Sequence, residues 1–229
     1  MIVPNYVPEP LEVGESIAEE PYMLRVVFIR RVTLYHLAGL FVVTGLGDLP
    51  WPRVGLYIPL GLLAALLIGL DVWRILRRGH PNESTVSSVF LPLIGILAGW
   101  TLHEMIRLGW PCFAPLIGVG CAALFTLIAG RDFSFVGAML VCQILSSVVL
   151  AAWSVHFNLD PTYAATALAA NAIYLFYFEY DLASLLARRR RGEELGAVVD
   201  LYRDIFNIFG YILRVWRHWR KHKIWEAVR

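Results

Sequence analysis

Few of the motifs that carry enzyme chemistry occur in this chain. Its three cysteines, Cys112, Cys121 and Cys142, fall within or beside apolar stretches with no CxxC spacing. Neither a disulfide framework nor a zinc site is expected from them, and they read as small buried hydrophobes. His103-Glu104 opens like a zinc-protease motif, but Arg107 stands where the second histidine is needed. Serines such as Ser146 and Ser147 lack a GxSxG context or a base at useful spacing, and no glycine loop follows a strand to cradle a phosphate. A membrane protease or hydrolase would therefore have no nucleophile, base or metal set, so no enzymatic activity and no cofactor are expected. The N-terminus also lacks the basic start and early apolar core of a signal peptide. It carries Glu9, Glu12, Glu15, Glu19 and Glu20 among several prolines, and residues 1–23 read as a flexible acidic tail on the cytoplasmic side.

Charge is scarce as well, at 17% of residues against 58% hydrophobic, with a mean hydropathy of +0.61. That balance excludes an ordinary soluble domain. The apolar stretches are about 20 residues long, which suits membrane helices and not the short alternating strands of a barrel. Spans are expected at Val32–Leu46, Gly55–Leu76, Val86–Leu108, Cys112–Ala129, Phe135–Phe157, Tyr163–Leu186 and Val198–Trp216. The first helix should begin earlier, in the amphipathic stretch Leu24–Phe28. The fold class is thus all-α and polytopic: a bundle over residues 24–216, with a basic tail at 217–229.

Basic residues occur at alternate loops. Arg25, Arg30 and Arg31 precede the first span, Arg74, Arg77 and Arg78 close the second, Arg131 follows the fourth and Arg188–Arg191 follow the sixth. The other loops are nearly free of Lys and Arg, which puts the N-terminus and the arginine run in the cytoplasm. Asn82-Glu83-Ser84 then faces the wrong side for glycosylation. With the basic residues set beside apolar segments and no aromatic-interleaved groove, lipid is the expected partner and nucleic acid is not. A seventh span would carry Arg214, Arg217, Arg220, Lys221 and Lys223 outward against the same rule, so six spans plus a re-entrant last helix is the alternative.

Acids inside apolar segments are the chemistry that is present. Asp181 lies two turns before Arg188, about 10 Å above the inner end of its helix, and Asp204 lies two turns after Gly196 on the next helix. The hairpin between them puts both carboxylates at one depth. Two close carboxylates share a proton and titrate as a unit, so the pair is a candidate pH sensor and a weak calcium site. Asp200, Asp204 and Asn207 fall at i, i+4 and i+7 and form one polar stripe, which should face other helices. Asp200 itself, like Glu179, is expected to be an interfacial, solvated acid. Asp71 and Arg74 could form a local i,i+3 pair; Arg74 could instead reach the aspartates or snorkel to headgroups. A structural ion pair with an arginine is the competing role for Asp204.

Three segments carry a family resemblance: Gly130-Arg131-Asp132-Phe133-Ser134-Phe135, Phe178-Glu179-Tyr180-Asp181, and Leu201-Tyr202-Arg203-Asp204-Ile205-Phe206-Asn207-Ile208-Phe209 followed by Ile212-Leu213-Arg214. Over about the C-terminal half the chain resembles the Bax inhibitor-like family. The resemblance implies a seven-helix bundle with the last helix central, a cytoplasmic N-terminus and a pH-sensitive calcium leak. In it, residues matching Asp181 and Asp204 form a proton-sharing seal, with Arg74 as the candidate latch and Tyr180, Asp200, Tyr202 and Asn207 as accessories. Arg203 departs from the family pattern, which has an apolar residue there. Calcium and protons enter as transported or sensed ions. Two other functions stay open: a non-transporting regulatory protein whose basic tail, with Trp216 and Trp219, binds lipid or a partner, and a proton-coupled transporter of a small solute. The compact chain without recognisable sorting signals suggests a bacterial plasma membrane.

Overall fold

A computed structural model describes residues 13–77, 80, 82–133 and 136–203, and these form helices joined by short connections. A single 3₁₀ turn, Ile17–Glu19, precedes α1 (Tyr22–Gly47), α2 (Tyr57–Leu76), α3 (Glu83–Val89), α4 (Leu91–Arg107), α5 (Ala114–Ile128), α6 (Val136–His156) and α7 (Pro161–Arg188). Residues 194–203 are again helical. The all-helical membrane class read from the hydropathy holds. By length and composition α1, α2 and residues Gly137–His156 can cross a bilayer, and α3 with α4 makes a fourth span if the bent pair counts as one. α7 is long enough, at 28 residues, but Asn171, Glu179 and Asp181 reduce its apolar character.

Local chemistry explains where the helices begin and break. α1 starts at Tyr22, ten residues before the expected span and inside the expected tail, because the Leu24–Phe28 stretch continues one apolar face into the bundle: Val26, Phe28, Ile29 and Val32 are all buried. The expected Val86–Leu108 span is two helices bent by 43° at Phe90. Pro92 sits in the first turn of α4, where its missing N–H is harmless, but it cannot continue the preceding helix. α7 opens on Asp160, whose Oδ1 accepts from the backbone N–H groups of Thr162 at 2.9 Å and Tyr163 at 3.1 Å, with Pro161 at the first helical position. This N-cap satisfies two of the orphan N–H groups of the first turn of α7.

Packing divides the helices into two contacting sets: α1 lies against α4 and α5, α2 against α4, and α5, α6 and α7 against one another. Small residues allow the closest crossings. A Cβ added to Gly99 on α4 would lie 2.5 Å from Leu46 Cβ on α1, the small-residue contact expected where no hydrophobic force drives helices together in lipid. Large apolar side chains on α2 and α6, including Leu62, Ile68, Val72, Ile144 and Val148, stay exposed, which suits surfaces that meet lipid tails.

The end of the expected tail is not free. The N–H of Ile17 donates to the Arg189 carbonyl at 2.8 Å, that of Val13 to Ala187 at 3.2 Å, and Ile17 is buried. Residues 13–20 strap the C-terminal end of α7 through Ala187 and Arg189.

Candidate ion site at the C-terminal end of α7

The centre of this site is Asp200. Its side chain is fully buried, not solvated as expected, and three guanidiniums converge on it. Arg189 donates from Nε to Oδ2 and from Nη2 to Oδ1, both at 2.7 Å, the two-pronged geometry that a planar guanidinium supplies and an ammonium cannot. Arg74 Nη1 from α2 also donates to Oδ2. Arg203 Nη2, one turn along on the same helix, lies 2.9 Å from Oδ1.

Further acids balance these cations. Glu83 at the start of α3 accepts from Arg189 Nη1 at 2.8 Å through Oε2 and from Ser87 Oγ at 2.8 Å through Oε1. Asp71 on α2 lies 2.9 Å from Arg203 Nε, and Glu193 lies 3.8 Å from Arg189 Nη1. Backbone carbonyls complete the shell: Arg74 Nη2 donates to the Arg188 carbonyl at 3.0 Å and Arg189 Nη2 to that of Gly196 at 3.1 Å. Gly196 is required here, since a Cβ would come within 2.3 Å of Ser84 Oγ and 2.8 Å of Arg189 Nη1. Burial works against the charge of Arg189, but the carboxylates of Asp200, Glu83 and Glu193 outweigh it and hold the guanidinium protonated beyond its usual range. One charged cluster therefore ties α2, α3, the end of α7 and the last described helix together.

The residues read from the sequence take distinct places around it. Asp181 is buried, and its Oδ1 lies 3.8 Å from Arg188 Nη1. Arg74 neither snorkels nor pairs with Asp71; it is 2% exposed and reaches Asp200. The reason is cost, because an arginine at this depth satisfies its donors on a carboxylate and a carbonyl more favourably than by bending a long side chain toward headgroups. Tyr180 is half-buried. Tyr202 is buried, its ring 5.0 Å from that of His36, and its hydroxyl lies over Gly39. Asp204 and Asn207, and with them the proposed carboxylate pairing and the basic tail, lie outside the described residues. Glu179 is fully buried as well, against the solvated reading.

Sequence reasoning took the arginine run only as a topological marker and so missed Arg189. The signal was its place at a helix end beside a polar stripe that had to face inward. His103 and Glu104 are engaged elsewhere: the ring meets the Gly47 carbonyl at 2.9 Å and the carboxylate pairs with Arg107 at 2.8 Å. Among the described residues no group of three or more His, Cys, Asp or Glu side chains could hold a metal ion.

Comparison with known proteins agrees with the motif resemblance. The chain is 36% identical over 103 residues to a BI1-like protein of Arabidopsis thaliana, which covers 43% of this chain and 40% of that protein. It is 27% identical over 193 residues to Protein LIFEGUARD 3 of the same plant, covering 81% of this chain and 74% of the relative. The chain thus spans less than half of the first relative in that alignment. Both support the likeness to Bax inhibitor-like proteins. No family model matches, and no solved structure matches.

Proposed function

We propose that this chain is a seven-span Bax inhibitor-like membrane protein with a cytoplasmic N-terminus, and that it works as a pH-sensitive, calcium-permeable leak without enzymatic activity. The observation supporting this reading is Asp181: it lies in the Tyr-Asp segment that carries the resemblance, is 3% exposed, and sits beside a dense charged cluster at the inner end of the bundle. An intramembrane acid is expensive unless paired or functional. In this reading Asp181 and Asp204 share a proton and close the inner mouth. A change in their protonation alters the charge between α7 and the last helix, biasing an element with two packings. Calcium passes as cargo, held weakly by a few carboxylate and water oxygens so that it leaves as readily as it enters. Asp200, gripped by three guanidiniums, is the frame on which the last helix is hung and not the sensor.

Calcium flux into proteoliposomes tests the reading. The wild type should leak calcium with a pH dependence that Asp181→Asn with Asp204→Asn abolishes; flux with an unchanged pH profile in the double variant removes the pair from the mechanism. A non-transporting regulatory protein is the second reading, favoured by how completely Asp200 is engaged by arginines. Purified protein without flux, together with loss of assembly on deleting residues 217–229, would select it.

A further inference from the structure

Along α7, positions 179 and 181 lie about 200° apart around the helix, and so on opposite faces at nearly one depth. Asp181 faces the charged cluster. Glu179 is 0% exposed, and neither of its carboxylate oxygens completes a hydrogen bond with a described residue. It forms no ion pair among the described residues either. Its neighbours are the Cys142 thiol and the Gln143 amide on α6, with Cys121 of α5 next to Cys142. His36 of α1 stacks on Phe178 and meets the Tyr174 hydroxyl, while Glu19 belongs to the 3₁₀ turn before α1 and Arg188 to the last turn of α7, about 13 Å along the axis from position 179.

From Glu179 a file of polar groups runs outward along the seam of α6 and α7. Gln143 Nε2 donates to the Ala172 carbonyl at 3.2 Å, Ser146 Oγ to the Gln143 carbonyl at 3.2 Å, and Asn171 Nδ2 to Ser146 Oγ at 2.9 Å. Ser146 and Asn171 are both fully buried. Each amide nitrogen of this file makes one bond along it, and both oxygens of Glu179 and Oδ1 of Asn171 lie buried beside it outside hydrogen-bond geometry. Gly118 of α5 makes room for that amide oxygen, since a Cβ there would lie 2.4 Å from it. With no cation among its described neighbours, the carboxylate has the Cys142 thiol and the Gln143 amide beside it and needs a further donor to lie neutral in an apolar interior. A proton is the smallest species that supplies one, turning a carboxylate oxygen into an O–H while removing the charge that hydrocarbon opposes.

We propose that Glu179 is a proton-binding site, separate from Asp181, at the inner end of a polar file between α6 and α7. The site requires no calcium passage and stands whether or not the leak exists. α7 then carries two acids with different work: Asp181 beside Arg188, and Glu179 as a neutral acid among uncharged groups.

Infrared spectra of the full chain in liposomes at neutral pH test this. The wild type should show a carbonyl stretching band of a protonated carboxylic acid in apolar surroundings that shifts in deuterium oxide. That band should disappear in Glu179→Gln and persist in Asp181→Asn. Glu179→Asp, which keeps the acid on a shorter stem, should retain the band at a shifted frequency, and it decides the matter if the Gln variant fails to fold. A wild type without the band overturns the proposal. So does a band that is unmoved in a monodisperse Glu179 variant, or one lost in Asp181→Asn alone, which would assign the proton to the proposed leak site.

Discussion

Replacing Asp200 by Asn removes a charge while keeping the shape, and the surroundings set the cost. Three guanidiniums lose their shared carboxylate, but not equally. Arg189 keeps Glu83 at 2.8 Å and Glu193 at 3.8 Å, and Arg203 keeps Asp71 at 2.9 Å. Arg74 keeps the Arg188 carbonyl at 3.0 Å while remaining 2% exposed. Breaking a buried ion pair by deleting one partner costs about 3–5 kcal/mol, because the other charge stays buried without compensation. In a chain of this size each kcal/mol moves the midpoint by roughly 2–4 °C, so Asp200→Asn should lower the thermal midpoint of the detergent-solubilised protein by roughly 6–20 °C. Tryptophan fluorescence during heating reads this directly. The control is Asp200→Asn with Arg74→Met: taking out the stranded cation should restore part of the loss, with a coupling of about 0.5–3 kcal/mol. A single variant within about 1 kcal/mol of wild type, which is ordinary scatter for surface changes and little more, or a double variant with no recovery, would refute the account of Arg74 as a cation held by Asp200.

Three further outcomes follow from local geometry. Gly118→Leu should destabilise by about 1–3 kcal/mol through overpacking, since even a Cβ would press on Asn171 Oδ1; a thermal midpoint equal to that of wild type would count against the close α5 and α7 approach. Asp160→Ala should cost about 0.5–2 kcal/mol by removing the N-cap of α7, read as faster amide exchange at Thr162 and Tyr163. The Arg31 and Glu194 pair is 3.2 Å apart with the arginine side chain 58% exposed, so Arg31→Ala should change stability by no more than about 1 kcal/mol, and less at high salt. A larger salt-independent loss would show that the pair is held away from water.

Much of the helical layout was legible because long apolar runs have few alternatives. The expected second and fifth spans end within a residue or two of α2 and α6. The third failed at one residue type: hydropathy is blind to the N–H that Pro92 lacks, so a single run hid two helices. The site was legible only in part. The placement of Asp181 inside its helix follows from spacing, and its side chain is buried, whereas Asp200, on the polar stripe but read as solvated, is buried as well. What spacing does not carry is which partner comes from a distant element. Glu83 meets Arg189 across 106 positions and Arg74 meets Asp200 across 126, and no local periodicity encodes such pairings. Glu179 was misjudged for a related reason. Its nearness to the arginine run suggested an interface, whereas the helix turn places it against α6.

Arg203 is the clearest departure from the family pattern, and the structure explains how it is borne. A lone arginine on a membrane helix would be an orphan cation, but Asp200 one turn earlier and Asp71 on α2 both lie 2.9 Å from it. The relation is not symmetrical. Asp200 has two other arginines, and the Asp71 side chain retains 23% exposure, so removing Arg203 leaves Asp200 with two guanidiniums and Asp71 with access to water. Removing one partner of a buried pair is costly because the other charge is left uncompensated, and here both partners of Arg203 keep other compensation. Arg203→Leu should therefore cost less than Asp200→Asn, by at least about 2 kcal/mol on the range given for broken buried pairs, and the two thermal midpoints measured side by side decide it. If the leucine variant proves the more damaging, Arg203 and not Asp200 is the group that the cluster is assembled around.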